Sequence, residues 1–247
     1  MTDEQSKANV ATRPHQEFWV VVPAAGVGAR MLADQPKQYL PLAGKTVLEQ
    51  TLSRLLEHPK VVGIVLVLGV DDLYWTESYL ASDPRILIAR GGAQRSHSVL
   101  NGLNRLAQII STQEWVMVHD AARPCISHED LDSLILATAN TKDGLVLGAP
   151  VRDTMKQADD SARILATLDR NTLWHAFTPQ IFRLGELVKA LTTCIDKNLP
   201  VTDEASAMEH CGYHPQMLQG SEQNIKITRP MDLILAELIL KTEAKEH

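Results

Sequence analysis

Short apolar runs alternate with amphipathic stretches along most of this chain, and that alternation restricts the fold more than any single motif. Residues 18–25 read Phe-Trp-Val-Val-Val-Pro-Ala-Ala, and 61–68 read Val-Val-Gly-Ile-Val-Leu-Val-Leu. Similar runs occupy 85–89, 115–119 and 144–150. Apolarity sustained over four to eight residues marks strands covered on both faces. Between them, segment 46–57 sets Val47, Leu48, Thr51, Leu52, Leu55 and Leu56 at helical spacing. Segments 72–80, 94–110 and 128–138 also predict helices, as do 184–195, 203–211 and 230–241. Such alternation predicts an α/β fold, a doubly wound, mostly parallel sheet with helices on both faces.

The alternation breaks after Pro150. Residues 151–170 are polar and mixed, with Asp159, Asp160 and Ser161 as a turn signal in the middle. The flanking pieces, 151–156 and 163–168, predict a hairpin that projects from the sheet. A long surface loop is the plainer alternative. The first sixteen residues are polar and read as a loose tail, which leaves 17–247 as one domain containing this arm.

Composition narrows the functional classes. A hydrophobic share of 45 % over 247 residues suffices for a large core, so wholesale disorder is excluded. The formal charge of -6 disfavours sequence-independent nucleic-acid binding, which rests on excess Lys and Arg. With aromatics at 4 %, base-stacking platforms also lack material. No apolar run reaches the length of a membrane span. Cys125, Cys194 and Cys211 form no CxxC pair and read as reduced thiols, so the expected compartment is the cytoplasm.

The first strand runs into a loop of small residues, Ala24, Ala25, Gly26 and Gly28, followed by Arg30 and then Lys37. Small residues let backbone N–H groups approach a phosphate closely. The dinucleotide fingerprint fails, because Met31 stands where a third glycine belongs and the next strand is too distant to supply its acid. The P-loop fails as well, since no Gly-Lys-Ser/Thr follows. An Arg fork with a Lys point charge suits a triphosphate. Each cation taken singly reads as a solvated surface residue.

Asp120 follows another apolar run, where a parallel sheet presents its ligand-binding edge. A hard oxygen ligand there suits Mg²⁺, and a turn cap is the alternative. His119 reads as structural. Ser96, His97 and Ser98 do not make a hydrolase, for there is no GxSxG elbow; Ser98 alone reads as an early-turn residue of a helix. Thr202 reads as an N-cap, Asp203 and Glu204 as dipole partners of a helix start, and Arg170 as a local partner of Asp169. Lys226, in Ile225-Lys226-Ile227, reads as solvent-facing.

Taken together, Pro-Ala-Ala-Gly-x-Gly-x-Arg-Met followed by Pro-Lys-Gln-Tyr-Leu resembles the 2-C-methyl-D-erythritol 4-phosphate cytidylyltransferase family. Segments 91–99, 119–124, 169–180, 202–206 and 224–230 resemble it too, in order and with compatible spacing. The resemblance implies transfer of CMP from CTP to 2-C-methyl-D-erythritol 4-phosphate with release of pyrophosphate, in a Rossmann-like nucleotidyltransferase that acts as a homodimer with Mg²⁺. It implies that Ala24, Ala25, Gly26 and Gly28 line the nucleotide site, with Arg30 and Lys37 on the triphosphate. Gly92 and Ser98 would contact the cytosine, Asp120 would hold the metal near the reacting phosphates, and Arg123 would support that loop. Thr154, Arg170, Thr178, Thr202 and Lys226 would form the acceptor side, with arm 151–170 crossing to a partner chain. Ala93 departs from the pattern, where an Asp is expected.

Rival readings are a ribitol-5-phosphate cytidylyltransferase, which would differ in the acceptor pocket, and a sugar-1-phosphate nucleotidyltransferase using UTP or GTP. From other classes come a nicotinamide-dependent oxidoreductase, disfavoured by Met31, and a non-catalytic nucleotide sensor, which leaves Asp120 unexplained.

Overall fold

Side chains along the central strands point alternately to two apolar layers, and the helices supply the other half of each layer. In the computed structural model residues 17–26 and 35–246 are described. The expected tail over 1–16 and the loop residues Gly28 and Arg30 lie outside the described residues.

Four parallel strands form one part of the sheet: β1 (Phe18–Pro23), β4 (Val61–Leu68), β5 (Ile86–Arg90) and β6 (Trp115–Val118). The remaining sheet strands are β7 (Leu145–Pro150), β10 (Trp174–Arg183) and β11 (Gln216–Gln219). The sheet order is β11-β7-β10-β6-β1-β4-β5. Strand β10 is antiparallel to both neighbours, while β7 and β11 are parallel to each other. Two short pieces, β2 (Pro41–Leu42) and β3 (Lys45–Thr46), form a ribbon ahead of helix α1 (Val47–Glu57).

On one face, Phe18, Val20, Val22, Ile64, Leu66 and Met117 pack with Leu48, Leu52 and Leu55 of α1. Leu131 and Leu134 of α3 (His128–Ala137) join them. On the other face, Val21, Val65, Val67, Val116 and Val118 pack against α2 (Arg95–Leu106), α4 (Leu184–Asp196) and α5 (Glu204–His210). Adjacent residues of one strand therefore feed opposite layers, as the two-residue period of a strand requires. The last helix, α6 (Pro230–Glu246), reaches a third, smaller cluster through Ala236.

Expected and observed elements agree over most of the chain. Helix α1 starts at a full capping box, with Thr46 Oγ1 accepting from the Glu49 backbone and Glu49 Oε2 accepting from the Thr46 backbone. The predicted hairpin forms as β8 (Lys156–Ala158) and β9 (Ile164–Thr167), a separate antiparallel pair outside the main sheet.

The helix expected over 72–80 does not form; only a single 3-10 turn occupies Trp75–Glu77. Asp72 is the reason: its Oδ1 accepts the backbone N–H groups of Tyr74 and Trp75, a local bond that competes with helical pairing. Strand β10 was not legible from composition, because Pro179 and the polar Thr178 and Gln180 interrupt its apolar pattern. Residues 225–227 alternate like a strand but pair with no strand; Ile227 N donates instead to Ala122 O.

Candidate active site

The chain leaves β1 for β4 and β5 on one side and returns to β6 on the other, so the strand order reverses between β1 and β6. The carboxyl ends of strands diverge at such a point and leave a crevice. A cleft of about 420 Å³ lies there, lined by Ala24, Ala25 and Gly26 after β1, by Asp120 after β6, and by Lys37, Gly92, Ala93, Arg95, Ser98, Lys226 and Thr228. A second hollow of about 450 Å³ shares Ala24–Gly26, Gln38, Gly92 and Ala93 and extends to Gly69, Asp71, Asp72 and Tyr74.

Each wall is braced by short-range bonds. Gln38 Nε2 donates to Ala24 O at 2.7 Å and fixes the end of β1. Gly91 N donates to Leu68 O at 2.7 Å. A Cβ on Gly91 would meet Ala25 Cβ at 2.4 Å, and one on Gly92 would meet His97 Cβ at 2.4 Å, so both positions require glycine. The buried Ser98 hydroxyl accepts from Gly92 N and donates to Gln94 O, closing the turn that opens α2.

Asp120 is the centre of the charge arrangement and the one carboxylate among the described residues lining the first cleft. Its Oδ1 accepts from Arg95 Nη2 at 3.1 Å and Nε at 3.3 Å. Its Oδ2 lies 2.7 Å from Lys226 Nζ and 3.7 Å from Arg123 Nε. Burial alone would raise the Asp120 carboxyl, but Arg95 and then Lys226 outweigh it and hold it well below the usual carboxylate range. Arg95 is in turn gripped by the fully buried Glu204, with Nη1 to Oε1 at 2.6 Å and Nη2 to Oε2 at 3.1 Å. The cluster thus sets three cations against two carboxylates, which leaves one positive charge in excess.

Behind Asp120 runs a buried polar chain. Its backbone N–H donates to Thr178 Oγ1 at 3.0 Å. His119 Nε2 meets the Arg123 carbonyl at 3.0 Å, so that nitrogen carries the proton and Nδ1 accepts from the Thr178 hydroxyl at 3.1 Å. Burial pushes the His119 imidazole down to about 4, so it is neutral near pH 7. Arg123 Nη1 donates to Asn224 O at 2.6 Å and Lys37 Nζ to Ile227 O at 2.8 Å. These bonds bring the 224–228 segment back over the loop after β6.

Ala24, Ala25, Gly26, Lys37, Gly92, Ser98, Asp120 and Lys226 therefore meet in one cleft. Thr178 lies behind it, buried, with its hydroxyl proton committed to His119. Thr154 and Arg170 are exposed on the arm, where Arg170 Nη1 donates to Arg152 O; neither lines the cleft. Thr202 is exposed, and the cap of α5 is Asp203 rather than Thr202. Lys226 does not simply face solvent, despite its 40 % side-chain exposure, because Asp120 holds its ammonium. Sequence reasoning left Arg95 without a role and read Glu204 only as a dipole partner of a helix start; both lie within motifs of the resemblance, which was the available signal.

Among the described residues no three His, Cys, Asp or Glu side chains gather into a metal-binding group. With Asp120 as its protein oxygen, a hard divalent ion would fit this donor set only if further oxygens came from bound phosphate or water, since Mg²⁺ commonly takes one or two carboxylates plus phosphates and water.

A relative from Pseudomonas putida (strain GB-1), a 2-C-methyl-D-erythritol 4-phosphate cytidylyltransferase, is 53 % identical over 217 residues, covering 87 % of this chain and 92 % of the relative. The crystal structure of the Francisella tularensis enzyme of the same name aligns with a TM-score of 0.78 at 37 % identity, over 90 % of this chain and 99 % of that one. The Thermus thermophilus structure of that name aligns at 0.72 and 28 % identity, over 91 % and 99 %. With residues 18–242 matching the family's sequence profile, the chain belongs to the 2-C-methyl-D-erythritol 4-phosphate cytidylyltransferase family.

Proposed function

We propose that the chain transfers CMP from CTP to 2-C-methyl-D-erythritol 4-phosphate and releases pyrophosphate, a step toward isoprenoid precursors. The observation that carries this reading is the cleft at the switch point, where Arg95 and Lys226 hold the ionised Asp120 and Lys37 lines the same cleft. An acceptor phosphate oxygen attacks the α-phosphorus in line with the departing pyrophosphate. The attacking oxygen is already ionised, so no general base is needed, and catalysis is positioning plus neutralisation of spreading charge. The neutral, internally bonded His119 fits that requirement.

Lys37 neutralises the triphosphate, with Arg30 beside it in sequence. Asp120 would be the residue to hold Mg²⁺, which when bound would supply further charge neutralisation. Lys226 stands ready to exchange Asp120 for the acceptor phosphate. Ser98 keeps a lone pair after donating to Gln94 and accepting from Gly92, which suits the amino group of cytosine.

The arm is read as a dimer contact. It exposes Ile164, Leu165 and Leu168, apolar residues that a two-stranded hairpin cannot bury on its own. A two-fold dimer would cover them and bring Thr154 and Arg170 to the partner's acceptor side. Free Cys125, Cys194 and Cys211 suit a reducing compartment, which supports the reading of a cytoplasmic protein. No helix among the described residues is long and apolar enough to cross a membrane.

Mass spectrometry of a CTP reaction with the acceptor tests the reading. A cytidine diphosphate ester of the alcohol, formed one-to-one with pyrophosphate, is expected. Hydrolysis of CTP without ester formation would contradict it.

A further inference from the structure

We propose that Glu204 is a positioning residue for cytidylyl transfer, acting through Arg95 on Asp120. This inference rests on the proposed role of Asp120 and Lys226 at the acceptor side. Glu204 opens α5 directly after the Thr202 segment, and Arg95 opens α2 directly after the glycine turn, so the pair ties the two halves of the site together.

The division of donors is specific. Glu204 takes Arg95 Nη1 and shares Nη2, both at its own two oxygens. On the adjoining edge of the guanidinium, Nε and the other hydrogen of Nη2 both reach Oδ1 of Asp120. Oδ2 is thereby left to Lys226 at 2.7 Å, with Arg123 Nε farther off at 3.7 Å. A planar fork held at one edge by a carboxylate cannot turn without breaking both bonds, so Glu204 sets which Asp120 oxygen faces the lysine. Glu204 has no exposed surface and does not line the cleft, so substrate does not touch it. A helix start does not require a buried carboxylate, because Asp203 already caps α5.

The charge-removing change Glu204→Gln keeps the shape but turns an amide donor toward an Arg95 donor. The guanidinium then pivots toward Asp120 and competes for Oδ2. Misplacement of this size lowers kcat/KM for the acceptor by roughly 10- to 100-fold. KM for CTP changes less than KM for the acceptor, since Lys37 and the loop amides are untouched.

The test is a double-mutant cycle of Glu204→Gln with Asp120→Asn, on full-length protein shown to be folded by circular dichroism and thermal melting. The proposal expects the Glu204→Gln loss in the wild-type background and little further loss in the Asp120→Asn background, because the effect passes through that carboxylate. Losses that multiply would overturn it and make Glu204 a scaffold residue. If Glu204→Gln does not fold, Arg95→Lys takes its place in the same cycle: it keeps the charge and loses the fork. Asp120→Asn with wild-type turnover would instead remove the site reading on which the proposal rests.

Discussion

Lys226 Nζ lies 2.7 Å from Asp120 Oδ2, so a lysine in an unpaired, strand-like segment is bound to the strand-end carboxylate of the nucleotide cleft. The bond joins the proposed acceptor side of the site to its strand-end carboxylate as one electrostatic unit. A phosphate entering beside Lys226 replaces one anion by another, so the lysine need not be desolvated anew. Lys226→Ala should therefore raise KM for the acceptor far more than KM for CTP. Steady-state kinetics with each substrate varied in turn would show this, and equal rises in both would contradict it.

Lys37→Ala should lower turnover by roughly 10²–10³-fold, the scale of losing one fixed donor to developing charge. Its ammonium lines the cleft and is held by Ile227 O at 2.8 Å, so it is placed before substrate arrives. Near-normal turnover in a folded variant would show that the triphosphate lies elsewhere.

Thr178→Val removes the hydroxyl that accepts from Asp120 N and donates to His119 Nδ1. Two buried polar groups lose their partner, so urea unfolding should show a loss of about 1–3 kcal/mol. Unchanged stability would mean that the chain behind Asp120 is dispensable, and would favour a direct role for Thr178 on the acceptor.

Acid should weaken the fold through His119. Its folded pKa is depressed, to about 4 from 6.5. Between these values the unfolded chain holds a proton that the folded chain lacks, so stability falls as pH drops from about 6.5 toward 4. A shift of that size corresponds to about 3 kcal/mol over the window. His58, also buried and shifted down by burial, adds to the same slope. Asp120, being depressed, loses its contribution only at lower pH. Urea unfolding at pH 7.5 and pH 5 should show the loss, and His119→Asn should show a shallower one; equal slopes would contradict the assignment.

The parts of the fold that sequence made legible are those where one rule acts alone. Runs such as 61–68 are apolar throughout because both faces are covered, and the 46–57 stripe with its Thr46 cap has no competing reading. Legibility failed where local bonds override the pattern. Asp72 captures two amides and stops a helix, and Pro179 and Gln180 hide a strand whose neighbours satisfy them. In the site, the glycine turn and Lys37 were readable because phosphate chemistry dictates residue type. Arg95 and Glu204 were not, because a buried ion pair between distant segments has no local signature. Lys226 was recoverable only through the family resemblance.

The arm predicts a shared active site. Mixing Lys37→Ala with Arg170→Ala protein, with subunit exchange by refolding, should restore roughly a quarter of wild-type sites, since half the dimers are mixed and each holds one intact site. No recovery among dimers shown to have exchanged would place both residues in one chain's site.

The central claim, cytosine-specific transfer to a branched tetritol phosphate, is tested most directly by a competition assay. Equal amounts of 2-C-methyl-D-erythritol 4-phosphate and ribitol 5-phosphate are supplied with CTP, and in parallel with UTP, and the nucleotide esters formed are counted. The account predicts the cytidine ester of methylerythritol as the dominant product, with UTP slower by roughly 10²-fold or more, because a site built on hydrogen bonds to one base penalises the wrong donor pattern. Equal turnover of CTP and UTP, or a ribitol ester in excess, would contradict it.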